Sequence, residues 1–131
     1  MIVDSSALLA IIRDEPMAVT CLQIMLNSQE NRISAASYLE AAIVADRLPE
    51  SPDAATFDDL IEQLSIIVEP LTAHQATIAR EAYGRFGKGV GHPAWLNFGD
   101  CFAYALAADL DEPLLFVGQD FLHTDVRRVL D

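Results

Sequence analysis

Met1-Ile2-Val3-Asp4-Ser5-Ser6-Ala7-Leu8-Leu9-Ala10-Ile11-Ile12 is an apolar run that stops in three polar residues and then resumes. The pattern reads as a short buried strand feeding a helix, with Asp4, Ser5 and Ser6 offering side chains to the first free amides of that helix. Asp14-Glu15-Pro16 closes the helix and opens a second, in which Val19, Leu22, Met25 and Leu26 recur at helical spacing. Arg32-Ile33-Ser34 is a short strand, followed by a helix from about Ala36 to Leu48. Pro49 and Pro52 punctuate, and Phe57, Leu60, Ile61 and Leu64 predict a fourth helix. Ser65-Ile66-Ile67-Val68 is a third strand, closed by Glu69-Pro70. Thr72 to about Phe86 is helical in pattern, and the glycine-rich stretch from Gly84 to Gly91 is a loop before a helix starting near Asp100. Leu114-Leu115-Phe116-Val117 is the fourth strand, followed by a turn and a short helix around residues 119–122.

Strands that alternate with helices make right-handed βα units, which build a mainly parallel sheet covered on both faces. The expected fold is α/β, and a length of 131 residues gives one domain over 1–131. Hydrophobic residues at 52% and charged residues at 21% exclude a disordered or fibrous chain. No apolar run approaches the ~18 residues of a membrane span, and Met1-Ile2-Val3-Asp4 carries no basic leader, so a cytoplasmic protein is expected. Cys21 and Cys101 fit no metal-ribbon spacing and read as reduced thiols.

The net charge is -12, from 20 acids against 8 bases, which argues against a protein that coats nucleic acid. Most acids cluster with other charges, as in Asp58-Asp59 or Asp111-Glu112, and read as solvated surface. Asp4, Glu40, Asp100 and Asp120 instead stand alone in apolar surroundings. Glu40 shares a helical stripe with Ala36, Ile43 and Val44 and is expected on a buried apolar face. Asp4 and Asp120 each follow a strand and Asp100 begins a helix, so three of the four fall at the carboxyl rim of the sheet, where parallel sheets bind ligands. Asp4, Asp100 and Asp120 serve equally as helix caps or turn residues when each is taken singly. Glu69, isolated but beside Pro70, reads as surface or edge.

Four carboxylates at one rim would repel unless a cation joins them. An all-oxygen set suits Mg²⁺ or Mn²⁺, and the matching chemistry is phosphodiester hydrolysis. His74, His92 and His123 lack paired ligand spacing, which disfavours zinc, and His123 reads as a surface residue. Two other readings fit the same acids. One is a phosphatase or phosphoacceptor with Asp4 as nucleophile, although Ser6 stands where a second Asp is usual and no Lys follows a later strand. The other is a binding module in which the acids only cap helices.

The opening segment, the helical Glu40, the stretch Leu96-Asn97-Phe98-Gly99-Asp100-Cys101-Phe102-Ala103-Tyr104-Ala105-Leu106-Ala107, and Leu114-Leu115-Phe116-Val117-Gly118-Gln119-Asp120-Phe121 with Thr124-Asp125 resemble, over essentially the whole chain, a PIN-domain ribonuclease. The likeness is to the VapC toxins of bacterial VapBC toxin-antitoxin systems. It implies a PIN-like three-layer α/β/α fold with a short, mainly parallel sheet. It also implies a Mg²⁺- or Mn²⁺-dependent endoribonuclease that cuts RNA involved in translation, with Asp4, Glu40, Asp100 and Asp120 as its metal-binding and catalytic acids. Ser6 resembles the family's small hydroxyl residue near the metal, and Asp125 a fifth acid acting through water. Gly118 departs from the Thr or Ser that many PIN domains carry. A homodimer and a VapB-type antitoxin covering the acidic rim are further implications. Leu9, Ile12, Met17, Leu22 and Met25 offer apolar surface for an antitoxin helix or serve as core. Arg80, Arg85 and Lys88, three of the eight bases within nine positions, are candidate RNA phosphate contacts, with Phe86 or Trp95 for base stacking. The equal alternative is a solvated helix end with Trp95 in the core. Two divalent ions would bring the net charge to about -8, so RNA is expected to engage through a metal-bridged phosphate and a small basic loop.

Overall fold

Ile2 and Val3 form β1, two residues long and fully buried. In the computed structural model, which describes residues 1–49 and 56–130, β1 is joined by β2 (Asn31–Ser34), β3 (Ile66–Glu69) and β4 (Leu114–Leu115). The four strands lie in the order β3-β2-β1-β4, every pair parallel, with Ile2 opposite both Arg32 and Leu114. Among the described residues six helices accompany them: α1 (Ser5–Ile12), α2 (Ala18–Asn27), α3 (Ala35–Asp46), α4 (Phe57–Gln63), α5 (Ala73–Phe86) and α6 (Asp100–Leu110). The expectation for Pro52 lies outside the described residues.

Successive strand residues point to opposite faces, and even two-residue strands use this to serve two cores. Ile2 and Leu114 join a cluster with Ala79, Phe86 and Leu106 from α5 and α6. Val3 and Leu115 join a second with Leu8, Cys21, Ile33, Ala41 and Phe57, drawn from α1 to α4 and β2. The result is the expected three-layer α/β/α arrangement. Cys21 and Cys101 are free, buried, and in different cores. No helix among the described residues is long and apolar enough to cross a membrane.

The sheet grows from β1 through β2 to β3, and the chain then returns to add β4 on the far side of β1. This reversal leaves a crevice beyond the carboxyl ends of β1 and β4. Ser6 spans it. The Val117 amide donates to Ser6 Oγ at 3.0 Å, leaving the ladder two residues after Leu115, so β4 stops short of the expected Leu114–Val117. The short helix expected near residue 120 is a pair of turns instead, with Leu122 N–H donating to Gln119 C=O and Thr124 N–H to Phe121 C=O, each at 3.1 Å. Gly118 enters these turns at φ +103°, and Phe121 anchors them by packing on Phe116 at 5.0 Å between ring centroids. Glu69 ends the edge strand β3, as its isolation suggested, and pairs there with Arg32 of β2.

Candidate active site

The peptide after β1 turns directly into α1, and Asp4 is its N-cap at φ -82°, ψ 155°. Asp4 Oδ2 accepts from Ser6 N–H at 3.1 Å and from Ser6 Oγ–H at 2.6 Å. Only 3% of Asp4 is exposed. Burial pushes its carboxyl up to about 6; the Ser6 hydrogen bonds pull it down and the Glu40 charge adds to the rise. Capping and membership of an acidic site, which sequence left as alternatives, are both properties of this one side chain.

Asp100 opens α6. Its Oδ2 accepts from Asn97 N–H at 2.9 Å while its own N–H donates to Asn97 Oδ1 at 3.0 Å, a reciprocal pair that locks the turn Asn97-Phe98-Gly99-Asp100. The Asp100 carboxyl, 8% exposed, is pushed up to about 7. Burial is the main cause; the Asn97 amide opposes it and the charges of Asp4 and Asp120 reinforce it. Asp120 is exposed on the turn after β4, close enough for its charge to add to the rise at Asp100.

Glu40 corrects the expectation of a buried acid: it is exposed. α3 buries its small residues, Ser37 and Ala41, against the core and turns the stripe through Leu39, Glu40 and Ile43 outward, with Leu39 57% and Ile43 44% exposed. The carboxylate nevertheless reaches the others. Its Oε1 accepts from Ser5 Oγ–H at 2.7 Å, and its far side lies against Gly99. The Ser5 hydroxyl, expected to cap α1, is therefore donated across to α3.

The structure gathers Asp4, Glu40, Asp100 and Asp120 at one end of the sheet, and places Ser6 at Asp4. Asp125 has partners of its own: its Oδ1 accepts from Tyr104 OH at 2.6 Å, a turn along α6 from Asp100, and its Oδ2 lies 3.7 Å from the Arg85 guanidinium. Among the described residues no three His, Cys, Asp or Glu side chains converge closely enough to hold an ion by themselves. The donor chemistry still fits Mg²⁺ or Mn²⁺, since these ions retain several waters and take only one or two carboxylates directly. Two carboxyls raised mainly by burial, and further by their acidic neighbours, are what such an ion would relieve. His92 is occupied, its Nδ1 accepting from Ala94 N–H at 2.9 Å, and His123 is exposed.

Ser5, Asn97 and Gly99 are site residues that sequence reasoning missed. Asn97-x-x-Asp100 has the spacing of a capping box, the one available signal; the Ser5–Glu40 pairing spans 35 positions and leaves none. Of the basic loop, Arg80 is exposed, Arg85 stacks on Phe86 at 4.5 Å, and Lys88 lies 5.8 Å from the Trp95 ring. Phe86 is 6% exposed and belongs to the core, whereas Trp95 is 55% exposed, the reverse of the core alternative. Phe98 is 77% exposed, edge-on to Phe102 at 4.9 Å, and immediately precedes Gly99-Asp100.

Residues 1–127 match the family model for the PIN domain. The chain is 53% identical to Ribonuclease VapC28 of Mycobacterium tuberculosis over 131 residues, covering 100% of this chain and 98% of that one. It is 42% identical to Ribonuclease VapC42 of the same species over 127 residues, 97% of each chain. Its fold superposes on the crystal structure of Mycobacterium tuberculosis VapC20, a sarcin-ricin loop cleaving toxin, with TM-score 0.74 at 17% identity over 98% of this chain and 97% of that one. A toxin-antitoxin complex from Klebsiella pneumoniae gives TM-score 0.68 at 15% identity over 95% and 92%. Sequence and fold agree: the chain belongs to the PIN-domain family, among its VapC ribonucleases.

Proposed function

We propose that this protein is a cytoplasmic endoribonuclease toxin, dependent on Mg²⁺ or Mn²⁺, that cleaves RNA involved in translation and is neutralised by a VapB-type antitoxin. The observation that carries the reading is the meeting of Asp4, Glu40, Asp100 and Asp120 beyond β1 and β4, with Asp4 and Asp100 raised to about 6 and about 7. Such groups gain most from a bound cation. Asp4, Asp100 and Asp120 would hold the ion, and Glu40 would order its water shell or take a proton from the attacking water. When bound, a divalent ion acidifies water and neutralises charge developing on the phosphate. Ser6 fixes Asp4 Oδ2 through its amide and its hydroxyl. Helix capping alone does not account for the cluster, because neither Glu40 nor Asp120 caps a helix among those described.

Incubation of the purified chain with total RNA, with Mn²⁺, Mg²⁺ or EDTA, followed by mapping of new 5′ ends, tests the reading directly. Discrete ends that vanish with EDTA are expected; the same ends in EDTA, or none at all, would overturn it. Lys88, Trp95 and Phe98 form the proposed RNA contact with Arg80 and Arg85, the aromatic rings stacking on unpaired bases. Lys88→Ala should weaken single-stranded RNA binding and flatten the slope of log affinity against log salt by roughly 0.7, measured by fluorescence anisotropy across a salt series. An unchanged slope would remove Lys88 from the interface. Asp125 is proposed to act only indirectly, through Tyr104 or a water.

The proposed partners are the antitoxin and a second copy of the chain. The surface suggested for the antitoxin needs revision, because Met25 is 1% exposed and belongs to the core, while Leu9, Ile12, Met17 and Leu22 are half-buried. On α2 the open apolar residues are Val19 and Leu26, at 63% and 61% exposure. Together with Leu39 and Ile43 on α3 they support faces covered by another chain.

A further inference from the structure

An exposed glutamate is a poor anchor, since ordering its three torsions costs side-chain entropy. Glu40 is nonetheless held from both sides. Ser5 donates to Oε1 at 2.7 Å from the first turn of α1, where it is only 7% exposed and lacks the freedom to follow a moving partner. Gly99 meets the other side: a Cβ added there would lie 2.9 Å from Glu40 Cδ and nearer still to Oε2. Its backbone is at φ -64°, ψ -38°, a conformation open to every residue, so chain geometry does not require glycine here. A Cβ would instead take the space that the Glu40 carboxylate occupies and displace it.

Ser5 and Ser6 also divide their work. Adjacent hydroxyls on one helical turn donate to different acids, Ser6 to Asp4 Oδ2 at 2.6 Å and Ser5 to Glu40 Oε1. Each tethers one oxygen of a carboxylate and leaves its second oxygen untethered by serine.

We infer that Ser5 and Gly99 are positioning residues that fix the Glu40 carboxylate between Asp4 at the start of α1 and the first residues of α6, and so set the affinity of the acidic cluster for a divalent cation. This rests on the role proposed above for Glu40. Removing an outer partner of a metal-binding group costs about tenfold or more in affinity. Ser5→Ala should therefore raise the Mn²⁺ concentration that half-saturates thermal stabilisation by about tenfold, and Ser5→Thr, which keeps the hydroxyl, should restore it. Gly99→Ala should raise it comparably. In a Glu40→Gln background the Ser5→Ala effect should disappear.

The metal-free protein gives an independent reading. The Glu40 carboxyl ¹³C resonance, assigned through Glu40→Gln, should move in Ser5→Ala and in Gly99→Ala and return in Ser5→Thr. Equal losses from Ser5→Ala in both backgrounds, or a resonance that stays in place, would overturn the inference. If the wild type shows no response to Mn²⁺, the metal-dependent function proposed above fails, and the resonance alone decides whether Ser5 and Gly99 hold Glu40.

Discussion

Replacing Asp100 by Asn should reduce RNA cleavage by on the order of 100-fold or more while making the metal-free protein more stable at pH 8. Asn can still accept from the Asn97 amide, so the turn into α6 survives. What disappears is a buried negative charge that Asp4 and Asp120 oppose. The same reasoning applies to Asp4→Asn, where an amide oxygen can replace Oδ2 as acceptor from Ser6. The expected signature is a melting temperature several degrees higher in EDTA, with cleavage near background in Mn²⁺. A variant that cleaves like the wild type, or that melts lower in EDTA, would contradict the assignment. Loss of activity with gain of stability distinguishes an electrostatic cost kept for chemistry from a residue kept for folding.

The second large effect is a pH dependence of metal-free stability. Asp4 titrates near 6 in the folded protein against 3.8 as a free side chain, and Asp100 near 7 against 3.8. A folded state that binds protons more tightly than the unfolded chain loses stability as pH rises, beginning near the unfolded value and finishing just above the folded one. Stability contributed by the protonated forms should thus be present near pH 4 and gone by about pH 8. Asp4 alone accounts for about 3 kcal/mol. Urea unfolding in EDTA between pH 5 and pH 8 should show the midpoint falling, and saturating Mn²⁺ at pH 8 should recover about 2–3 kcal/mol at 100-fold excess over its dissociation constant. A midpoint that rises over this range in EDTA would show that the two carboxyls are not held against their charge.

Much of this was legible in the sequence for local reasons. The alternation of short apolar runs with helical periodicity specified the parallel layers, and Asp4-Ser5-Ser6 marked where β1 turns into α1. Isolation of charge within apolar neighbours picked out Asp4 and Asp100, both buried. It misjudged Glu40 because α3 carries apolar residues on two sides, and periodicity cannot tell a side packed on the core from one left open. Trp95 was open to either reading for the same reason, since hydrophobicity alone says nothing of which loop face is covered. Tertiary hydrogen bonds were beyond reach. The tie from Ser6 to Val117 crosses 111 positions and shortens a strand, and the tie from Tyr104 gives the candidate acid Asp125 a partner 21 positions away.

That strand order has a consequence for how the protein is born. β1 is made before the other three strands, yet one of its two neighbours is β4, the last of them. A ribosome-bound chain that stops before Leu114 has β1 paired on one side only, lacks the Val117 amide that meets Ser6, and has not yet made Asp120. Chain topology therefore delays completion of the acidic cleft until the last of the four strands has been made.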